Sequence, residues 1–196
     1  ESDTLAFLTT IGITIVAGAM MIMTTRNHSK HLAKREGFLI VATTWIFFSI
    51  FGMLPFIIHG CIPNVADAFF ETISGFTTTG ATVLTDIDSL PHGILFWRCF
   101  TQWLGGMGII LFTLAILPML NSGGGIQLFN AETTGITHNK LRPRIGQTAK
   151  RLWGMYVAIT TVLVICLVLG PMDLFDAICH AMSTTATGGY STKQAS

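Results

Sequence analysis

Two similar stretches decide the fold: "GFTTTGATV", residues Gly75–Val83, and "STTATGGYST", residues Ser183–Thr192. Both are rich in glycine and hydroxyl side chains, which favour turns and irregular backbone over helix. They interrupt a chain that is 51% hydrophobic and only 11% charged, with a mean hydropathy of +0.62. Because a soluble domain carries about a quarter charged residues, this composition predicts a membrane protein.

Four apolar runs without charged residues are long enough to cross a bilayer, which takes about 20 residues. They are Leu5–Thr25, Phe38–Ile58, Cys99–Leu120 and Leu152–Gly170. Buried helices of a large soluble protein are the alternative, and four uncharged runs of this length argue against it. The four cysteines are widely spaced and form no CxxC pair, which favours small apolar fillers over metal ligands or a disulfide framework.

The basic residues predict how these spans are oriented. Nine of the eleven lie in the segments Arg26–Arg35 and Lys140–Arg151, whereas Gly60–Leu95 has no Lys or Arg and carries four acidic residues. By the positive-inside rule, the two basic segments are cytoplasmic. This orientation places Glu1 outside, and together with the missing initial Met it predicts that the chain is a fragment of a longer protein.

The segment between the second and third spans predicts a re-entrant loop. Val65–Phe76 has helical character but makes only about three turns, too few to cross the bilayer. The Thr/Gly run follows it and leads to acidic residues on the outer side. Non-helical backbone at membrane depth persists only where it is buried in protein or lines a watery cavity. From this stretch alone, a plain extracellular loop is the alternative.

An internal repeat favours the re-entrant loop. A shift of 109 residues lays "DAFFETISGFTTTGAT" over "DAICHAMSTTATGGYS", so that Asp67 matches Asp176 and Gly80 matches Gly189. The spans ahead of the two loops match as well, and basic residues precede both. The repeating unit is therefore a span, a short helix, a Thr/Gly loop and a second span, always in the same in–out sense.

The make-up of the two loops suits a dehydrated alkali cation. Backbone carbonyls can replace its water shell without a formal charge that would trap it. Glycine adopts cheaply the conformations that point consecutive carbonyls at one axis, and the short helix ahead aims its partially negative C-terminus into the membrane. No Lys follows either glycine, which excludes a phosphate-binding GxxxxGK[ST] loop. Nor does any metal-like histidine spacing or catalytic triad stand out, so we expect no enzyme.

The sequence resembles the TrkH family, the membrane subunits of bacterial Trk potassium uptake systems, within the superfamily that includes KtrB and plant HKT transporters. The resemblance rests on "REGFLIVATTW", "DAFFETISGFTTTGATVL", "FWRCFTQWLGGMGIILFTLAILPML", "AETTGI…KLRPRIGQTAK" and "STTATGGYST". It implies an all-α integral membrane protein with repeated span–pore helix–filter loop–span units of a potassium-channel-like pore, incomplete in this chain. It also implies a bacterial inner-membrane location.

The resemblance further implies one filter glycine per repeat, here Gly80 and Gly189. The carbonyls that would face the ion are those of Thr78, Thr79, Gly80, Ala81, Thr187, Gly188, Gly189 and Tyr190. The bound species would be potassium, held by backbone carbonyls only, and no cofactor is expected. Because Gly188 stands where the first loop has Thr79, we expect the second loop to differ slightly in shape.

The predicted organisation has four parts. Residues 1–36 form a preceding helix and a basic loop, and residues 37–120 form the first pore repeat. Residues 121–151 form a cytoplasmic linker, and residues 152–196 form the second repeat up to its filter. The resemblance implies a homodimer in the lipid bilayer and a cytosolic nucleotide-binding partner of the TrkA type, for which Lys140–Arg151 lies on the correct side. Nothing points to nucleic acid.

Several polar residues near the loops have two interpretations. Arg98, at the predicted outer start of the third span, either repels cations near the ion path or, as we favour, pairs with a carboxylate or reaches the interface. Glu71 and His180 occupy matching positions, and we expect them to pack and hydrogen-bond behind the filter. Asp86 and Asp88 either concentrate cations or are solvated loop charges. "GGMG", Gly105–Gly108, favours close helix packing over a bend.

Two other functions compete with a passive or gated potassium pathway. One is an ion-coupled secondary transporter, or symporter, with re-entrant loops; repeats of that class are often inverted, whereas these two share one sense. The other is a sodium-permeable member of the same superfamily. By resemblance, serine in place of the first filter glycine accompanies sodium transport, so Gly80 favours potassium.

Overall fold

A computed structural model describes residues 2–25, 34–121 and 145–194, with side chains for 3–25, 39–110 and 148–194. The chain is helical within these ranges, and no strand occurs in them. The helices are α1 (Ser2–Thr25), α2 (Lys34–Gly52), α3 (Leu54–His59), α4 (Val65–Phe76), α5 (His92–Asn121), α6 (Ile145–Leu169) and α7 (Leu174–Thr185). Most of the two basic segments lies outside the described residues.

The predicted spans fall on long helices. The segments Asp3–Thr25, Leu39–His59 and Thr148–Leu169 are each long and apolar enough to cross a membrane. The remaining predicted span, Cys99–Leu120, lies inside the 30-residue helix α5. At 1.5 Å per residue this helix is about 45 Å long. The side chains beyond residue 110 are outside the described residues, so the crossing of the membrane by α5 stays a prediction.

The second predicted span is not one continuous helix. Helix α2 ends at Gly52 and α3 begins at Leu54, because Pro55 has no amide hydrogen and its ring clashes with the preceding turn. The carbonyl of Gly52 accepts a hydrogen bond from the indole Nε1 of Trp97 on α5 at 2.9 Å. In the matching span of the second repeat, Val164 stands at the position of Pro55, and α6 runs unbroken to Leu169.

The helix that contains the third predicted span begins before that span. Helix α5 starts at His92, directly after Pro91, and Arg98 therefore lies in its second turn. The prediction began the span at Cys99 because it excluded this charged residue. Arg98 is buried and paired with a carboxylate, which makes a charge inside the helix tolerable.

The two short helices match each other residue for residue. Helix α4 covers Val65–Phe76, as expected, and α7 covers the segment 109 residues further on. Each has 12 residues, and each begins after a side chain that caps it, Asn64 in one case and Asp173 in the other. These caps accept a hydrogen bond from the amide two residues later, which satisfies a donor that the helix leaves free.

Helix α5 lies between the two short helices, α4 and α7. Helix α4 packs against α2 and α5, and α7 packs against α6 and α5. A side-chain carbon at Gly105 would collide with the backbone of Phe76, so the end of α4 sits directly on α5. This close approach confirms the packing interpretation of "GGMG". All four cysteines are free thiols, and two of them, Cys99 and Cys179, pack together with Tyr190 in a buried cluster.

Candidate ion-binding site

The two Thr/Gly loops have the same unusual backbone. Thr78 and Thr187 have φ values of 55° and 57°, and they are the only residues other than glycine with positive φ in the described part of the chain. Gly80 and Gly189 follow at φ 76° and 85°. Threonine avoids this left-handed region, because its branched side chain clashes with the backbone. A strained conformation at matching positions of both repeats points to function rather than chance.

The hydrogen bonds that hold the loops are also matched. The amide of Thr78 donates to the carbonyl of Gly75, and that of Thr187 donates to the carbonyl of Thr184, both at 2.9 Å. At the next residue, the amide of Thr79 donates to the carbonyl of Ser74, and the amide of Gly188 donates to the carbonyl of Ser183, again both at 2.9 Å. Each loop thus turns off the C-terminal end of its own short helix. The expected difference in shape at Gly188 does not extend to this pattern.

This geometry suits the coordination of a cation by backbone oxygens. Thr79 and Gly188 stand between two left-handed residues without sharing their positive φ. Alternation of this kind rotates successive peptide planes, so that neighbouring carbonyls can face one side instead of alternating as in a strand. The C-terminal ends of α4 and α7, which carry partial negative charge, point at the loops and favour a positive ion there.

The two loops touch each other. A side-chain carbon at Gly80 would overlap the carbonyl oxygen of Gly188, so the glycine of the first loop lies against the second loop. Within the described residues, no atom would lie within 4 Å of a side-chain carbon at Gly189. Gly80 is therefore constrained by both conformation and space, and Gly189 by conformation alone.

The carbonyl of Ala81 is engaged elsewhere. Its oxygen accepts a hydrogen bond from Ser74 Oγ at 2.6 Å and lies 3.2 Å from the hydroxyl of Tyr190. These bonds direct the oxygen back toward the short helix, which argues against the prediction that this carbonyl faces the ion. Tyr190 itself is buried, and its hydroxyl also donates to the carbonyl of Glu71 at 2.9 Å. The tyrosine of the second loop thus braces the first repeat.

Arg98 lies behind the loops, where it joins both repeats. Its side chain is only 1% exposed, and its Nε lies 2.9 Å from a carboxylate oxygen of Glu71. The same guanidinium donates to Thr82 Oγ1 at 3.2 Å and to the carbonyl of Ser191 at 3.3 Å. It also stacks 4.3 Å from the ring centre of Tyr190. These contacts confirm pairing with a carboxylate as the role of Arg98.

Glu71 and His180 hold equivalent hydroxyl groups with different chemistry. The carboxylate of Glu71 accepts hydrogen bonds from Thr82 Oγ1 at 2.9 Å and from the amide of Val83 at 3.0 Å. In the second repeat, His180 Nε2 lies 3.4 Å from Oγ of Ser191, the residue that matches Thr82. Both side chains hydrogen-bond to the segment that follows their loop, as expected.

Sequence reasoning missed one residue at this site. Gln102, on α5, is fully buried and contacts the second loop: its Oε1 accepts hydrogen bonds from Ser183 Oγ at 2.7 Å and from the amide of Tyr190 at 3.2 Å. The available signal was a lone amide inside an apolar span, which in membrane proteins often marks a functional position.

The outer segments after the loops are tied to each other as well. Lys193 pairs with Asp176 at 2.9 Å, and this contact holds the pKa of the Asp176 carboxyl below its usual value. Asp88 accepts a hydrogen bond from the amide of Gln194 at 3.2 Å. Asp88 thus has a structural contact with the second repeat, while Asp86 is exposed and accepts from the amide of Ser89.

Comparison with known proteins places this arrangement in a family. A family model described as TrkH, a cation transport protein, matches residues 4–196. The chain belongs to the TrkH family. It is 49% identical over 194 residues to the Trk system potassium uptake protein TrkH of Escherichia coli K12, an alignment that covers 97% of this chain and 40% of that protein. Identity to the protein of the same name from Vibrio parahaemolyticus is 47% over 193 residues, covering 97% of this chain and 39% of that protein.

A solved structure agrees with the fold. The crystal structure of the potassium transporter TrkH from Vibrio parahaemolyticus superposes with a TM-score of 0.82 at 43% identity, covering 100% of this chain and 39% of that one. The resemblance and the all-α membrane fold with repeated units are therefore confirmed. The relatives of this TrkH-family chain are named as transport proteins rather than enzymes, in agreement with expectation. The chain spans about 40% of the length of the relatives it matches.

Proposed function

We propose that this chain forms part of a potassium pathway across the bacterial inner membrane, with one filter glycine in each repeat. The observation that carries the proposal is the duplicated loop geometry: a left-handed threonine and a left-handed glycine follow each short helix at the same spacing. The names of the relatives, which are potassium uptake proteins, support potassium as the ion.

The proposed ion ligands are backbone carbonyls only. They are those of Thr78, Thr79, Gly80, Thr187, Gly188, Gly189 and Tyr190, the predicted set without Ala81. Neutral carbonyls can strip the hydration shell of a potassium ion yet release it again, which a carboxylate ligand would hinder. Glu71 and Arg98 neutralise each other behind the loops, so neither contributes an unbalanced charge at the ion.

The proposed organisation follows the sequence-based division. Residues 37–120 form the first pore repeat and residues 152–196 the second up to its filter, with 1–36 ahead of them and the cytoplasmic linker 121–151 between them. We include in the proposal a homodimer and a cytosolic nucleotide-binding subunit of the TrkA type that contacts the linker. The relatives are named as members of a Trk system, which supports partner subunits in general.

A flux measurement tests the proposed function. The protein encoded by the full reading frame is purified, reconstituted into liposomes and tested for potassium uptake driven by a membrane potential, with and without competing sodium. We expect uptake that excess sodium inhibits only weakly. Equal uptake of the two ions would contradict potassium selectivity. Uptake that needs a proton gradient in addition to the membrane potential would favour the ion-coupled transporter instead.

A further inference from the structure

Gln102 connects the second loop to its short helix in a way that has no counterpart in the first repeat. In the first repeat, Ser74 Oγ donates directly to the carbonyl of Ala81 at 2.6 Å. The matching residues in the second repeat are Ser183 and Tyr190. There, Ser183 Oγ donates to Gln102 Oε1 at 2.7 Å, and the same oxygen accepts from the amide of Tyr190 at 3.2 Å. An amide from α5 thus stands between helix and loop.

The orientation of this amide follows from its partners. The amide of Tyr190 can only donate a hydrogen bond, so the Gln102 atom that faces it must be the oxygen. The Nε2 atom then points the other way, and no described residue accepts a hydrogen bond from it. It would lie 3.8 Å from a side-chain carbon at Gly80. The fully buried side chain of Gln102 therefore lies between the two loops.

The same contact explains why the two loops differ at one position. Thr79 and Gly188 are equivalent, make equivalent hydrogen bonds, and have φ values outside the left-handed region. The backbone at this position therefore accepts a side chain, as Thr79 shows. A side-chain carbon at Gly188, however, would overlap the carboxamide carbon, oxygen and nitrogen of Gln102. Space taken by Gln102, and not backbone conformation, requires glycine at 188.

We propose that Gln102 is a positioning residue that sets the shape of the second filter loop and thereby its selectivity for potassium. The inference rests on the proposed function and adds to it a residue outside both loops. Gln102 acts in two ways: it holds the amide of Tyr190, and it fills the space that a side chain at position 188 would occupy. A loop that lost this support would no longer hold its carbonyls at fixed distances, and discrimination between ions of different radius would suffer.

The first test removes the hydrogen bonds. In the protein expressed from its full reading frame, Gln102→Leu keeps a side chain of similar size but supplies no acceptor. We expect the preference for potassium over sodium in liposome flux to fall by about tenfold, the order of magnitude expected when the second loop loses both hydrogen bonds to Gln102. Ser183→Ala, which removes one of the two donors, is expected to lower the preference less. Thermal unfolding is measured alongside, because a purely structural role would change stability and leave the ion preference intact.

The second test varies the side-chain size at two contacting positions, 188 and 102. Gly188→Ala is expected to lower the potassium preference, because its methyl group overlaps Gln102. In a Gln102→Ala background, Gly188→Ala is expected to lower the preference much less than it does in the wild type, since the methyl group then enters the space left by the amide. Gly154→Ala serves as the matched control, since no described atom lies within 4 Å of a side-chain carbon there.

The outcomes separate the inference from the proposed function. Wild-type protein without a potassium preference would overturn both. If the wild type is selective, the inference alone is overturned when Gly188→Ala keeps the wild-type preference, or when Gly188→Ala lowers the preference as much in the Gln102→Ala background as in the wild type. The second test compares variants at position 188 in two backgrounds, so it does not depend on whether Gln102→Leu folds.

Discussion

At the scale of single residues, Thr78 and Thr187 carry the clearest sign of function. A threonine held at a φ near 55° stores about 1–3 kcal/mol of strain. The matched hydrogen bonds to Gly75 and Thr184 maintain this conformation. The arrangement repeats at an offset of 109 residues, which shows that the strained backbone was kept in both copies of the unit. The glycines two residues later complete it.

We expect Gly80→Ser to reduce the preference for potassium over sodium by about tenfold. Left-handed backbone costs a residue with a side chain about 1–2 kcal/mol, which corresponds to roughly this ratio. In addition, the new side chain would overlap the carbonyl of Gly188. Growth on limiting potassium and ion competition in liposomes measure the effect. Gly189→Ser is expected to act in the same direction.

Gly60→Ser is the matched control for this prediction. Gly60 also has a left-handed φ, 85°, but it caps α3, and no described atom lies within 4 Å of a side-chain carbon there. The Gly60→Ser substitution should therefore lower the free energy of unfolding without altering the preference for potassium over sodium. Unchanged growth and competition in both Gly80→Ser and Gly189→Ser would show that these loops are not the filter.

At the scale of helices, the buried ion pair between α4 and α5 holds the first repeat together. Glu71 and Arg98 are 0% and 1% exposed in their side chains, and the pair satisfies its remaining hydrogen bonds at Thr82, Val83 and Ser191. An ion pair that is buried this fully adds little to the free energy of unfolding compared with apolar side chains of the same size. Removing one member, however, leaves the other charge buried without a partner. Its role is to align α4 and its loop against α5.

We expect Glu71→Gln or Arg98→Met to lower the free energy of unfolding by about 3–5 kcal/mol, because either change leaves an uncompensated buried charge. The double variant should lose less than the more damaging single variant. Thermal or denaturant unfolding of the purified protein in detergent measures these differences.

The pair between Lys193 and Asp176 provides a contrast. Its lysine side chain is 65% exposed, so Lys193→Gln should change stability little. If Glu71→Gln were as mild as Lys193→Gln, the ion pair would not support the first repeat.

At the scale of the whole molecule, α5 contacts both short helices, and the two repeats have their elements in the same order along the chain. Helix α4 and helix α7 both end in loops that meet at Gly80 and Gly188. Repeats of the same sense that meet at their loops surround a common axis, which suits a pore better than the inverted repeats of many secondary transporters. The orientation of this assembly still rests on the distribution of basic residues.

Cysteine labelling tests the orientation. With the four native cysteines replaced, Asp86→Cys should react with a membrane-impermeant reagent added outside intact cells, whereas Lys150→Cys should react only after the membrane is opened. Both positions are exposed in the structure, so folding does not hide either. Reaction of both from the same side would contradict the orientation and the shared sense of the repeats.

Local sequence signals were sufficient to predict most of the helices and loops. The bounds of α4 were predicted to the residue, and the offset of 109 residues carried them to α7, because helix caps, hydropathy and Thr/Gly runs act over a few neighbouring positions. The errors also had local causes. Pro55 split a predicted span into two helices, and helix α5 extends ahead of the predicted span because that span excluded the charge of Arg98.

The sequence by itself determined the membrane class, the repeat and the two loops with their glycines. Only the tertiary structure decided what supports the loops: Gln102 reaches Ser183 across 81 positions of the chain, and Tyr190 reaches Glu71 across 119. Such contacts depend on how α5 packs between α4 and α7, and no local pattern encodes that packing. For the same reason the glycine at 188 looked like a variation in the loop, whereas the folded chain shows that Gln102 occupies the space of its side chain.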